Sequence, residues 1–334
     1  MGTGRVAALG MFTAMLVAGC SSSTPTARPT SSPVLPTAET TAGTIPATEM
    51  AATAVPSPTS APATDSLGIV VVGSGTNAGI WTVNAGGTWT RSRTIDGASA
   101  IAPSTNGVAI AAGDEIHFLE GPRLSDVSQT RLSWPGGVAR PIASFAIAGD
   151  GRLALAVGKD DDYEYAMADA QGHVGPMEVA ASQPLSPLVA WLGTDRRLVL
   201  ATDAKEVSRL AVEDASSHVT FLTGLSGCRW FGASVDAKTI AALTETGLYI
   251  DSTDRFLASV EPPKAAAIAD ATVAWAVAVS HDGTRVAYLT GRLADDGSVS
   301  DVHEHVLIKA AVGWHEILDS KGAFSSVIGQ AWTS

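Results

Sequence analysis

Cysteine is nearly missing: Cys20 and Cys228 are the only two in 334 residues, so no framework of disulfides holds this chain together. Basic residues are scarce too. From residue 66 to 334 the chain carries 19 Lys and Arg against 30 Asp and Glu, a net charge near −11 with histidines neutral. A surface this acidic repels phosphate backbones, which excludes nucleic acid as an expected partner and leaves a cationic protein or peptide open. Apolar runs are short: the longest, from Val6 to Val17, falls below the roughly 20 residues of a membrane-spanning helix. Helical periodicity is absent throughout, which points away from bundles and α/β folds.

What is present begins at the N-terminus. Arg5, the apolar run and the small residues ahead of Cys20 read as a secretory signal over residues 1–19, to be set aside from the fold. Leu16-Val17-Ala18-Gly19-Cys20, followed by Ser21-Ser22-Ser23, resembles the lipobox of bacterial lipoproteins. The resemblance implies cleavage before Cys20 and diacylation of its thiol, an anchor in the cell membrane, and a folded part working outside the cytoplasm. A lipidated Cys20 could not pair with Cys228, so no intramolecular disulfide is expected. Acyl chains contribute about 0.8 kcal/mol per buried CH2 to such anchoring.

Residues 20–65 read as a tether. Positions 21 to 65 hold 18 Ser and Thr and 8 Pro, with only Val34, Leu35, Ile45, Met50 and Val55 as larger apolar residues. Such a segment cannot bury enough surface to offset the entropy of ordering, so disorder is expected.

The remaining stretch, 66–334, repeats. Asn106-Gly107, Asp150-Gly151, Asp195-Arg196, Asp236-Ala237 and Asp282-Gly283 each open an alternating run of small apolar residues, at spacings of 44, 45, 41 and 46 residues. Before four of these turns lies another apolar run with an aromatic, Phe145, Trp191, Trp230 or Trp275. A polar pair between two such runs signals a hairpin. A third strand follows, as in Glu115–Leu119 and Gly247–Ile250, then a more polar fourth. Four short strands in every 40 to 45 residues describe propeller blades. The ends complete the count, because Val327–Trp332 reads as an innermost strand with nothing after it and Ser66–Val72 as a second strand with nothing before it. Joined, they make a sixth blade. The expectation is an all-β, six-bladed propeller closed by its terminal strands; seven blades or a double-layer sandwich are the other architectures this spacing allows. Ser280-His281-Asp282-Gly283-Thr284-Arg285-Val286-Ala287 and Asp150 to Ala156 resemble the repeat of TolB-like, WD-repeat-like bacterial propellers. That resemblance implies the fold and a tendency to hold proteins or peptides, and it carries no catalytic residue.

Chemistry is sparse. Thr82 to Trp89, with Asn84 in place of the usual Asp, resembles the Asp-box of sialidase-type propellers, a structural turn that occurs once here; the catalytic arginines and tyrosine of a sialidase cannot be assigned, and Tyr163, Tyr165, Tyr249 and Tyr288 read as strand residues. Cys228 reads as a small hydrophobe in a buried strand. His303-Glu304-His305 lies in a third strand, where both imidazoles point the same way, yet two ligands do not make a metal site. No catalytic residue, metal or cofactor is expected. Two acidic clusters, Asp160-Asp161-Asp162 and Asp295-Asp296 through Asp301, fall between second and third strands of the second and fifth repeats. Those loops share one face of a propeller and would frame the channel mouth with negative charge, as solvated loops or as a site for a basic partner. The function this composition favours is a lipid-anchored module that binds and scaffolds a protein, peptide or envelope component; the alternative is an extracytoplasmic hydrolase or lyase, such as a glycosidase, on the same scaffold.

Overall fold

The computed structural model describes residues 66–333 except 76–77, 160–161, 178–187, 193–194, 204, 206, 215, 217, 270–271, 295–298 and 323–325, and only the backbone of Lys159 and Asp162. Cys20, the signal segment and the tether lie outside the described residues, as do Asp160, Asp161, Asp295 and Asp296.

Alternation of side chains turns each repeat into short antiparallel strands, because period-two burial suits a sheet covered on both faces by its neighbours. Blade 1 holds β1 (Ser66–Gly73), β2 (Gly79–Asn84) and β3 (Trp89–Arg93). Blade 2 holds β4 (Ala98–Ser104), β5 (Gly107–Ala112), β6 (Glu115–Glu120) and β7 (Ser125–Arg131). Blade 3 holds β8 (Ile142–Ile147), β9 (Leu153–Lys159) and β10 (Asp162–Ala168). Blade 4 holds β11 (Val189–Leu192), β12 (Arg196–Thr202), β13 (Ser208–Glu213) and β14 (Val219–Phe221). Blade 5 holds β15 (Trp230–Ala233), β16 (Thr239–Leu243), β17 (Gly247–Ser252), the short helix α1 (Thr253–Leu257) and β18 (Lys264–Ala267). Blade 6 holds β19 (Thr272–Val279), β20 (Arg285–Leu293), β21 (Val299–Lys309) and β22 (Trp314–Lys321). β23 (Val327–Trp332) then returns to blade 1 and pairs antiparallel with β1, Ala331 opposite Val70 and Gln330 opposite Val71. The sheet order β23-β1-β2-β3 is the terminal closure expected from the sequence.

Each blade buries its two faces against its neighbours. Six apolar clusters result, one in each seam: Ala102 meets Phe145 between blades 2 and 3, Tyr165 meets Trp191 between 3 and 4, and Leu200 meets Phe231 between 4 and 5. Ile250 meets Val277 between 5 and 6, Leu289 meets Trp332 between 6 and 1, and Ile80 meets Ile110 between 1 and 2. Fully burying side chains of this size stabilises by roughly 1.5–3 kcal/mol each, and the ring form leaves no seam unfilled.

The five repeated turns all join a first strand to a second. In blade 6, Ser280 Oγ donates to Asp282 Oδ1 at 2.7 Å and accepts from the Arg285 N–H at 2.9 Å. Blade 5 repeats this with Ser234, Asp236 and the Thr239 N–H, at 2.7 and 3.0 Å. A second turn recurs after third strands: Asn84 Oδ1 accepts from the Thr88 N–H at 2.9 Å, Asp169 Oδ1 from the His173 N–H at 2.9 Å and Asp214 Oδ1 from the His218 N–H at 3.0 Å. The Asp-box-like segment is therefore the structural turn that was expected.

Two readings change. Cys228 lies in the connection ahead of β15 rather than in a strand; it is fully buried, and burial pushes its thiol up to about 12. Blade 3 has three strands among the described residues, its outer edge met by a single bridge from Val174 to Ala168 instead of a full fourth strand.

Candidate functional site: the axial channel and the outer half of blade 6

Because β23, β4, β8, β11, β15 and β19 each stand first in their sheet, every one of them leaves an edge of backbone N–H and C=O groups facing the axis. They enclose a cavity of about 160 Å³. Ile101, Phe145, Trp191, Val277 and Ile328 contribute apolar surface to its wall, and Ser144 contributes a hydroxyl. Small residues are required here by close approach: a Cβ on Gly232 would lie 2.8 Å from the Val277 carbonyl oxygen. The wall thus offers unpaired strand edges and apolar surface, which suits an extended segment or inserted side chain.

Of the acidic residues picked out in the sequence, only the backbone of Asp162 and the whole of Asp301 fall among the described residues. β9 to β10 and β20 to β21 are both second-to-third connections, three blades apart, and Asp160, Asp161, Asp295 and Asp296, written between those strands, lie outside the described residues. Asp162 and Asp301 are not in those loops. Asp162 is the first residue of β10, and Asp301 lies inside β21 with a φ of 53° at a register shift. Asp301 is exposed and bonded to Lys321 Nζ at 2.7 Å, which holds its carboxyl below the ordinary range. A strand bulge engaged with a lysine is a poorer lure for a cationic partner than a free loop carboxylate.

Blade 6 gathers polar groups that sequence reasoning only partly found. His303 and His305 share the face of β21 that looks toward blade 5, as their spacing required. Each has its own carboxylate: His303 Nδ1 is 2.6 Å from Asp319 Oδ1, and His305 Nδ1 is 2.6 Å from Glu316 Oε1. His305 Nε2 is 2.8 Å from Thr290 Oγ1, and its ring stacks on Tyr288 with centroids 4.8 Å apart. Thr290, His305 and Glu316 form a hydroxyl–imidazole–carboxylate relay, capable in principle of moving a proton. Among the described residues no group of three or more His, Cys, Asp or Glu is placed to hold a metal ion. Tyr288, buried and facing Glu316 and Asp319, has its hydroxyl pushed up, first by burial and then by those carboxylates.

Two further buried polar features escaped the sequence. Arg197 and Glu213 pair at 3.2 Å in the seam between blades 3 and 4, with the guanidinium 5.7 Å from the Tyr165 ring centroid. Glu304 and Gln330 meet in the seam between blades 6 and 1. A signal for Glu304 was present: Val302 and Val306 flank it at period two, which places it on the buried face rather than with its histidine neighbours.

No family model matches the sequence, and neither does any curated protein. Solved structures do resemble the fold. A protein described as a TolB from Agrobacterium tumefaciens aligns over 78% of this chain and 91% of its own, with a TM-score of 0.51 and 13% identity. TolB from Acinetobacter baumannii aligns over 79% of this chain and 65% of its own, with a TM-score of 0.53 and 12% identity. The chain is a six-bladed β-propeller of TolB-like fold.

Proposed function

We propose that this protein is a lipid-anchored, extracytoplasmic propeller that binds and scaffolds a protein, peptide or envelope component. The observation that carries the reading is the ring of inner-strand edges around the axial channel, a rigid surface ready to accept an extended segment. Supporting it are the lipobox-like sequence ending in Cys20, the Ser/Thr/Pro tether of 20–65, and the acidic stretches 160–162 and 295–301 of the sequence. The tether as a flexible coil would reach on the order of 35–40 Å, and net negative charge steers a basic partner toward the mouth. Similarity to TolB folds agrees with such a role without assigning a partner.

Crosslinking in membranes, followed by capture of the natively lipidated protein and mass spectrometry, tests this reading. One stoichiometric envelope protein is expected, lost when Asp160, Asp161, Asp295 and Asp296 are changed to Asn and released from the membrane with the protein by Cys20→Ser. Capture of nothing while the anchor is intact would overturn it.

A second reading, an extracytoplasmic hydrolase, draws on the Thr290–His305–Glu316 relay alone. Turnover of an ester or glycan panel that disappears in both Thr290→Val and His305→Gln would favour it over the binding role.

A further inference from the structure

Ring closure depends on one late strand, β23, and a carboxyl group lies beneath it. Glu304 is fully shielded from solvent on the face of β21 turned toward blade 1. Opposite it, Gln330 of β23 is 7% exposed, donates from Nε2 to the Ala276 carbonyl, and reaches the Glu304 carboxyl. With Glu304 ionised, both carboxyl oxygens and Gln330 Oε1 lack a donor. Three buried acceptors left without a donor are costly, and an unpaired buried charge far more so.

A single proton repairs this. A protonated Glu304 would supply an O–H that Gln330 Oε1 can accept, while Gln330 Nε2 keeps its bond to the Ala276 carbonyl. The surroundings favour the neutral form. Ile69 and Val71 of β1, Ala278 of β19, Leu289 of β20, Leu318 of β22 and Trp332 of β23 fill the same cluster, and none ionises. The titratable groups nearby are Tyr288 on the far face of the blade, Arg285, 5.9 Å from the Trp332 ring centroid, and His281, bonded to the Trp332 backbone. None of them forms an ion pair with Glu304 among the described residues.

We propose that Glu304 and Gln330 form a carboxylic acid–carboxamide latch across the closing seam, made only while Glu304 holds its proton, so that closure by β23 weakens as pH rises. In the opened chain Glu304 titrates at about 4.3. In the closed ring, burial holds it well above that, the neighbouring Gln330 amide opposing only in part. The sign follows: closure is complete below the open-state value and declines from there up to the closed-state value. Each pH unit in that window lowers the closing constant by up to about tenfold.

Hydrogen exchange of the β23 amides, corrected for intrinsic rate and referred to β13, reads the opening directly in the purified protein from about pH 5 to about pH 8. In the wild type, opening of β23 rises with pH by up to about tenfold per unit. In E304Q, whose carboxamide keeps a donor and an acceptor at every pH, the profile is flat and protection at the upper end is greater. The same slope in E304Q as in wild type would overturn the latch, and so would β23 protection that rises on adding Ca2+, which would mean that Glu304 works as a carboxylate. Should E304Q fail to fold, the wild type decides through its infrared spectrum with isotope-labelled glutamate. A protonated-carboxyl band persisting at neutral pH is expected, and its absence refutes the latch.

Discussion

Trp332 Nε1 donates to the Ala278 carbonyl oxygen at 3.1 Å, across the seam between the closing blade and its predecessor. Trp191 does the same to Ala146, also at 3.1 Å, between blades 3 and 4. In each case an inner strand pins itself to the inner strand before it, so the ring is held near its axis by directed bonds as well as by apolar contact. Trp332→Phe keeps most of the buried area and removes the donor, leaving a buried carbonyl; we expect a loss of about 1–2 kcal/mol. Trp332→Ala should cost about 3–5 kcal/mol. Urea denaturation of both variants checks the pair, and an unchanged stability in Trp332→Phe would mean that the indole N–H contributes nothing.

The buried pair of Arg197 and Glu213, 5% and 2% exposed, leads to a different expectation. Removing one partner strands a charge in the seam, so Arg197→Met and Glu213→Leu alone should each destabilise by about 3–5 kcal/mol. The double variant should recover most of the loss, since two apolar groups replace two desolvated ones. A double-mutant cycle measures this, and additive losses would contradict the coupling.

Ala237 and Gly283 occupy the same place in two copies of one turn, with φ of 54° and 66°. Left-handed backbone costs an alanine about 1–2 kcal/mol, partly offset by the extra freedom glycine brings to the unfolded chain. Ala237→Gly should therefore stabilise by about 0.5–1 kcal/mol. The reverse change at Gly283 should cost more than this gain, because a Cβ there would lie 2.3 Å from Thr239 Oγ1. Thermal melts of the two variants should move in opposite directions.

The blade count and the closing strand were legible because turn residues and period-two alternation are local and repeat. Asp282-Gly283 announces its hairpin wherever the chain goes. The candidate site was less legible because its groups come together only through packing between strands distant in sequence. His303 and His305 were visible as a pair, but Glu316 and Asp319 reach them from β22 and Thr290 from β20. Asp301 looked like a loop residue because it follows an acidic turn, and the bulge that draws it into β21 has no signature in composition. Glu304, written between two histidines, looks solvated until Val302 and Val306 are given their face.

Acid should loosen the molecule through its turn carboxylates. Asp282 is lowered to about 2, chiefly by the Ser280 hydroxyl and with burial opposing, and it also accepts from the Thr284 N–H at 3.0 Å and hydroxyl at 2.7 Å. Asp203 is lowered to about 2, first by Arg209, whose Nε lies 2.7 Å from its carboxylate. Both folded values lie below the unfolded value of about 3.9, so the stability each contributes is present above about pH 4 and is lost as pH falls toward about 2. Asp282→Asn keeps one acceptor and abolishes the titration, and its melting temperature should fall less between about pH 4 and about pH 2 than that of the wild type. The acid slope is the quantity to compare rather than the absolute midpoint, because the substitution also weakens the turn at neutral pH by removing the acceptor for the Thr284 hydroxyl. Parallel slopes would mean that these turn carboxylates are not what acid attacks first.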